Sequence, residues 1–336
     1  MNRQAARLLS ILGPFLGLIL IYLFFALHDL AADGSIDQLG TLFTRYNLKT
    51  VAAQTSIVAI AALGMTIVII SGGIDLSAGS SIALTTVVVA VTLRGLSGSE
   101  ASGAVEPVLA ALAGIAAGGI VGLLNGCMIT GLRIVPFIAT LGMMGIARGV
   151  AKLLADEQKV NAPPSWLDTL LAVDPSPSAP LWRLPWGVVV LLALALAVFV
   201  LLRYSVFGRY IFAIGSNEAA ARLCGIRVGR QKVLIYTLSG VLTGVAGVMQ
   251  FGQLTVGDPT VSVGKELDII ASVVIGGGSL NGGKGGVAGT ILGAFIMGIL
   301  RNGCDIYGIP NYIQEIFIGL IIVAAVAVDQ LRSRSR

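Results

Sequence analysis

Residue types that carry covalent or metal chemistry are scarce in this 336-residue chain. His28 is the only histidine, so neither a histidine-based catalytic triad nor a site with several histidine ligands can be built. Cys127, Cys224 and Cys304 lie far apart, without a C-x-x-C pair, and predict neither a disulfide framework nor a zinc site. We therefore expect this chain to contain no catalytic residue and to bind no metal or cofactor.

One glycine-rich stretch imitates a nucleotide-binding loop. Residues from Gly278 to Lys284 have the spacing G-x-x-x-x-G-K, but Gly285 stands where a P-loop needs Ser or Thr to hold magnesium. The stretch also lacks a soluble α/β setting and an acidic strand for the metal. We interpret it as two membrane segments that meet at a tight turn, where glycine permits positive φ and close packing.

Asp75 stands at an interruption: an apolar run ends at Gly72 and Gly73, and a new apolar segment starts directly after the aspartate. Helix ends inside a membrane need partners for their backbone groups. One interpretation makes Asp75 the N-cap of the next helix, with Ser77 and Ser80 in its first turn. The other places Asp75 beside a polar pathway, because a carboxylate inside a membrane costs roughly 2.5–3.5 kcal/mol on insertion scales. The two interpretations are compatible.

A second interrupted segment, 273–286, weakly repeats the pattern of 68–80: an apolar run, a glycine pair, a polar residue and a helix start rich in small residues. Paired interruptions point to the central pathway of a transporter, although glycine-rich segments can also match by chance. Asp75 and Asn281, in the two interrupted segments, are therefore candidates for lining a pathway. Asn125, Phe137 and Thr140 are further candidates, because they cluster where the fourth predicted helix ends and the fifth begins; the alternative for Asn125 is a hydrogen bond between helices.

The elements that position these residues are predicted to be membrane helices. Hydrophobic residues make up 56% of the chain and charged residues only 12%, and the mean hydropathy is +0.91. A soluble fold of this size could not bury so much apolar surface, so the composition excludes a soluble enzyme, a nucleic-acid-binding domain and a disordered protein. We predict an all-α, polytopic membrane protein with one domain, 1–336.

A spanning helix needs about 20 mostly apolar residues, and ten segments qualify, of which the third and eighth are short and interrupted by glycine. Both termini are predicted inside, because 13 of the 22 Lys and Arg residues then lie inside and 14 of the 17 acidic residues outside. The net charge of +5 thus reflects membrane topology and not a nucleic-acid surface. The ten segments are 10–27, 50–71, 76–93, 107–130, 134–154, 186–203, 232–252, 267–280, 286–303 and 309–328.

Glycines recur every fourth residue from Gly114 to Gly126 and again at Gly240 and Gly244. This spacing allows close approach of helices in lipid. We expect most of these glycines to pack within one subunit, with a dimer seam as the alternative for one or two of them.

Residues 204–231 are predicted to form the main loop on the inner side. Ser216 or Asn217 is expected to cap a short helix there, Glu218 suits its positive end, and Gly225 is expected to end it. The helix either connects two spans in solvent or sits in a groove on another protein. For the second interpretation the contact residues are Asn217, Glu218, Ala221, Arg222 and Gly225.

Four ordered motifs resemble the permease subunits of bacterial ABC importers for monosaccharides, of the ribose, galactose and xylose type. The resemblance covers nearly the whole chain from about residue 50, and its markers are 64–66 with 72–77, 125–126 with 136–142, 215–226, and 267–280.

The resemblance implies a multi-pass protein of the bacterial inner membrane that pairs with a second permease subunit, identical or related. It also implies a cytoplasmic ATPase, which uses the ATP, and a periplasmic sugar-binding protein. The helix in 204–231 would then be the coupling helix that docks on the ATPase.

Two alternatives remain open at this point. A permease of the same superfamily could carry another small polar solute, such as a branched-chain amino acid, a nucleoside or a furanose-like signal. An ion-driven secondary transporter would need titratable groups in the membrane centre, where only Asp75 comes near that role.

Overall fold

A computed structural model describes residues 37–97, 105–174 and 183–334, together with positions 19, 22–23, 25–27 and 29. The predicted first span, 10–27, therefore lies for the most part outside the described residues. The described part of the chain consists mainly of helices. Their bounds are α1 (Asp37–Leu42), α2 (Arg45–Ile70), α3 (Ala78–Leu96), α4 (Val105–Gly131), α5 (Pro136–Leu154), α6 (Trp186–Tyr204), α7 (Val206–Ser216), α8 (Glu218–Leu223), α9 (Val228–Leu254), α10 (Lys265–Ile275), α11 (Val287–Ile306) and α12 (Asn311–Arg334).

Two short strands and one short helix lie in the connections. Val160–Asn161 (β1) pairs antiparallel with Val256–Gly257 (β2), and Trp166–Thr169 forms a 3₁₀ helix. The pairing ties the segment after α5 to the segment after α9.

Among the residues that the structure describes, seven helices are long and apolar enough to cross a membrane: α2, α3, α4, α5, α6, α9 and α11. The prediction of an all-α, polytopic membrane protein is confirmed, and these seven helices match seven of the ten predicted segments. The eighth segment, 267–280, forms only the 11-residue α10, which at 1.5 Å per residue is about 16 Å long, half the hydrocarbon thickness of about 30 Å. The tenth segment falls in α12, whose apolar part is Asn311–Ala324.

The centre of the molecule is α2, in which every residue from Ala59 to Ile70 is buried. It packs against α9, α11, α10 and α6. A helix without a separate polar face is the expected sequence for a helix surrounded by others, and the buried polar residues of α2 after Lys49 are the small Thr55, Ser56 and Thr66. The chain segment that follows the C-terminal end of α2 is thus attached to the core of the protein.

Helices α4 and α9 cross at the predicted glycines. A Cβ on Gly118 would lie 2.6 Å from the Gly240 carbonyl oxygen and 2.8 Å from the Gly244 Cα, so the two backbones are in direct contact. Gly122 meets the backbone of Tyr236 in the same way. This glycine stripe therefore packs within one subunit.

Candidate functional site

The break between α2 and α3 is a turn built on glycine. Gly72 has a φ of +81°, a conformation that other residues rarely adopt. A Cβ on Gly73 would collide with the Tyr236 hydroxyl, so α9 packs directly against the turn. The turn delivers Ile74 and Asp75 into the space between α3, α4 and α9.

Asp75 is not the N-cap of α3, so that interpretation is wrong: the N-cap residue is Ser77. The physical reason is that the Asp75 carboxylate is bonded to Ser77, the residue before the helix. It accepts hydrogen bonds from the Ser77 amide at 2.9 Å and from the Ser77 hydroxyl at 2.6 Å. Such a turn, with an aspartate bonded two residues ahead, uses the carboxylate before the helix begins.

Asn125 reaches this turn from α4. Its amide nitrogen donates to the Ser77 hydroxyl at 2.9 Å and lies 3.4 Å from Asp75 Oδ1. The Thr140 hydroxyl of α5 and the Tyr236 hydroxyl of α9 each lie 3.4 Å from the Ile74 carbonyl oxygen. Polar groups from three helices thus converge on one buried turn.

Three of the five predicted pathway residues are brought together here: Asp75, Asn125 and Thr140 are all buried. Phe137 is 48% exposed on α5, and Asn281 is exposed in the turn between α10 and α11. Neither belongs to the group around Asp75. The side-chain oxygen of Asn125, Oδ1, is buried without a hydrogen-bond partner in the described part of the chain.

A second buried polar group was not predicted from the sequence, where Asp75 was the charged residue proposed to line a pathway. Asp268 in α10 is buried and forms an ion pair of 2.7 Å with Arg301 in α11, and Lys265 donates to Gln250. Arg148 in α5 donates to two carbonyl groups of residues 259–261. The available signal was the run Lys265–Asp268, three charges in four residues of an apolar region.

The loop at 204–231 contains two helices. α7 was not foreseen, whereas α8 begins and ends as predicted: the Asn217 side chain accepts from the Ala220 amide at 3.0 Å, and Gly225 follows with a φ of +82°. An asparagine N-cap and a glycine with positive φ after the last turn define a short helix even when it is only six residues long.

Glu218 forms two ion pairs, one within α8 to Arg222 at 2.6 Å and one to Lys232 of α9 at 2.7 Å, and the second fixes α8 to its surroundings. Partial burial opposes ionisation, but the two cations hold the pKa of the Glu218 carboxyl below its usual value. Ala221 faces inward and packs with Ile214 and Val228. The exposed side of α8 carries instead Arg222 and Leu223, and Leu223 is 90% exposed.

A cavity of about 230 Å³ lies near the opposite end of α2, on the predicted outer side. Its polar lining consists of neutral hydroxyl and amide groups, which can hydrogen-bond to an uncharged polar solute. The lining residues are Tyr46, Thr50, Ala53, Gln54, Leu171, Val173 and Gln253. Among the residues described, no three His, Cys, Asp or Glu side chains stand close enough to hold a metal ion.

Comparison with known proteins gives matches over most of the chain. The family described as "Branched-chain amino acid transport system / permease component" matches residues 47–326. No solved structure gives a significant match to the chain.

Individual relatives are similar over nearly their whole lengths. The ribose import permease protein of Escherichia coli (strain K12) is 40% identical over 296 residues, which cover 85% of this chain and 86% of the relative. The ribose import permease protein of Bacillus subtilis (strain 168) is 36% identical over 322 residues, 96% and 93% of the two chains. The D-allose transport system permease protein of Escherichia coli (strain K12) is 34% identical over 292 residues, 87% and 85%.

Proposed function

We propose that this chain, which belongs to the family of branched-chain amino acid transport system permease components, forms the membrane pathway of an importer for a monosaccharide. Ribose is the first candidate. The chain is a permease subunit of a sugar ABC importer and a multi-pass protein of the inner membrane. The observation that carries the substrate class is the similarity to sugar import permeases along 85–96% of the chain. The family description itself points to amino acids, which makes a branched-chain amino acid the competing substrate.

ABC importers of this family work with an ATPase and a binding protein. We propose that two permease subunits, identical or related, enclose one pathway, that two cytoplasmic ATPases use the ATP, and that a periplasmic protein delivers the sugar. The permease itself would bind no cofactor and make or break no covalent bond. Its task is to hold and release an uncharged polar solute.

The mechanism follows from alternating access. When the two ATPases bind ATP and close against each other, they would displace α8 and open the pathway outward beneath the binding protein. ATP hydrolysis would then return the permease to the inward-facing state. A ligand or partner can shift such an equilibrium only by contacting the two states differently, so the contact surface on the ATPase side has to be attached firmly to the helices that move.

We assign this attachment to α8. Arg222 and Leu223 form its exposed side, while Asn217, Glu218 and Gly225 fix the ends and the position of the helix. Ala221 contributes from below, because it packs inward with Ile214. This supports a docking role for α8 with two kinds of residue, those that contact the ATPase and those that hold the helix in place.

We assign the pathway wall to the polar group at the α2–α3 break. Asp75, Asn125 and Thr140 are buried in this state, so we propose that they meet the sugar only when the break opens. Phe137 is exposed on α5 and would stack on the sugar from the subunit interface. Asn281 would line the inner mouth, where its turn is exposed.

Reversing the charge of Glu218 tests the coupling role. Glu218→Arg places a third cation beside Arg222 and Lys232, so α8 should move away from its seat, and sugar uptake should fall about tenfold or more, the range of a coupling energy of 1–3 kcal/mol. The amount of protein in the membrane should stay close to wild type, because exposed ion pairs contribute only about 0–1 kcal/mol to stability.

The matched control is Glu157→Arg, which reverses an exposed acidic residue in the turn after α5. Uptake of labelled ribose by cells that contain the complete importer is the measurement. Normal uptake with Glu218→Arg would refute the coupling role of α8. Uptake of a branched-chain amino acid in place of all sugars tested would refute the proposed substrate.

A further inference from the structure

Three chain segments meet backbone to backbone beside the end of α2. The first is the turn at Gly72, the second is Gly215 near the end of α7, and the third is the turn between α10 and α11 at Gly282 and Gly283. The Gly283 amide donates a hydrogen bond to the Ile70 carbonyl at 2.8 Å. We call Gly72, Gly215, Gly282 and Gly283 the glycine junction.

At Gly215 and Gly282 the contacts in the glycine junction leave no room for a side chain. A Cβ on Gly215 would collide with the Ile70 carbonyl oxygen and lie 2.7 Å from the Gly283 nitrogen. A Cβ on Gly282 would lie 2.6 Å from the Gly215 carbonyl oxygen and 3.0 Å from the Gly72 Cα. Because backbone atoms are close-packed here without flexible side chains between them, a displacement of one segment has to displace the others.

The conformations of the junction add a second constraint. Gly72, Gly282 and Gly283 have φ values of +81°, +83° and +72°. Residues with a Cβ rarely adopt these angles. At Gly282 glycine is therefore required both by the backbone angle and by the distance from Gly215, and at Gly72 it is required by the backbone angle.

Each segment of the junction leads to a different functional part. Asn217, the cap of α8, is the second residue after Gly215. Asp75, with its polar group, is the third residue after Gly72. Gly282 lies in the turn that joins α10 to α11, the helices of the Asp268–Arg301 ion pair.

We propose that the glycine junction transmits displacement of α8 to both helix interruptions, and that Gly215 and Gly282 are positioning residues for transport. The proposal rests on the proposed function, because it needs an ATPase that moves α8. Both interruptions noted in the sequence then respond to one mechanical input, and the polar group at Asp75 and the buried ion pair of α10 move together.

The first test is Gly215→Ala in the complete importer reconstituted in liposomes. We expect its basal ATP hydrolysis to stay within about twofold of wild type, whereas sugar uptake and the stimulation of hydrolysis by the loaded binding protein fall about tenfold or more. Gly229→Ala is the matched control, since it lies in the same loop region and its Cβ would meet only Thr130 at 3.9 Å. A Gly215→Ala importer that remains fully coupled would overturn the proposal, whereas a wild-type importer that moves no sugar would overturn the proposed function instead.

A second measurement covers the case in which Gly215→Ala does not fold. Spin labels are placed at Arg209 in α7 and Asn281, which are both exposed, with a reference label at Leu132 beyond α4, after the three native cysteines have been replaced. Distances are measured with and without ATP in the assembled importer. We expect the distance from position 209 to 281 to stay constant while the distances to 132 change. If the distance from 209 to 281 changes as much as the others, the junction is not a rigid link.

Discussion

At the scale of single residues, Asp75 is held by its neighbours and not by a charge partner. Its carboxylate takes two hydrogen bonds from Ser77 and lies near the Asn125 amide. Uncharged donors thus orient the carboxylate at the turn. The same donors make the residue sensitive to substitution, because each loses its acceptor when the carboxylate is removed.

Replacing Asp75 tests this arrangement. Asp75→Ala should lower the free energy of unfolding by about 1–3 kcal/mol for each buried donor left without an acceptor, and it should abolish uptake. Asp75→Asn keeps an acceptor oxygen of the same reach and should lose much less stability. Thermal unfolding of the purified protein in detergent and uptake in cells are the two measurements. Equal losses for the two variants would show that the charge, and not the acceptor, is what the site requires.

Some residue contacts could be predicted from the sequence and others could not. Asp75, Asn125 and Thr140 stand at helix ends and interruptions, where polar residues in an apolar chain have a reason to be, and the structure places them together. The Asp268–Arg301 pair could not be predicted, because the two residues are far apart in sequence and the facing of an apolar helix cannot be read from its sequence.

At the scale of secondary-structure elements, glycine determines how closely helices approach. The α4–α9 crossing depends on Gly118, Gly122 and Gly240, whose Cβ positions are occupied by the backbone of the opposite helix. Close packing substitutes in lipid for the hydrophobic effect that drives helix association in water. The high glycine content of the chain is therefore explained in part by these helix crossings.

Gly122→Ala should weaken the α4–α9 crossing. The added methyl group would collide with the Tyr236 carbonyl oxygen, and overpacking of this kind typically costs about 1–3 kcal/mol. Gly131→Ala is the control on the same helix, because nothing lies within 4 Å of its Cβ position. The measurement is denaturant unfolding in detergent, and equal stability of the two variants would contradict the packing argument.

Long apolar elements were predictable, whereas α8 was the one short helix whose ends were predicted. The seven spanning helices follow from runs of about 20 apolar residues. α7 was missed because the sequence analysis treated 204–231 as loop, although Ser205 caps the helix by accepting from the Gly208 amide. α10 came out shorter than predicted because Gly276 and Gly277 end the helix at Ile275.

At the scale of the whole molecule, the basic residues and the glycines have different roles. The basic residues gather in the loops predicted inside, including the loop that carries α8. The glycines join α8 to both helix interruptions through the glycine junction. This organisation fits a subunit that is moved by a partner and shapes a pathway for a sugar.

The most direct measurement of this account is uptake of labelled ribose into liposomes that contain the purified chain, alone or with its ATPase, with the loaded binding protein outside and ATP inside. We predict uptake only when the ATPase, the binding protein and hydrolysable ATP are all present, and none with a non-hydrolysable analogue or with an ion gradient alone. Sugar uptake by the chain alone, driven by an ion gradient, would contradict the account and identify a secondary transporter.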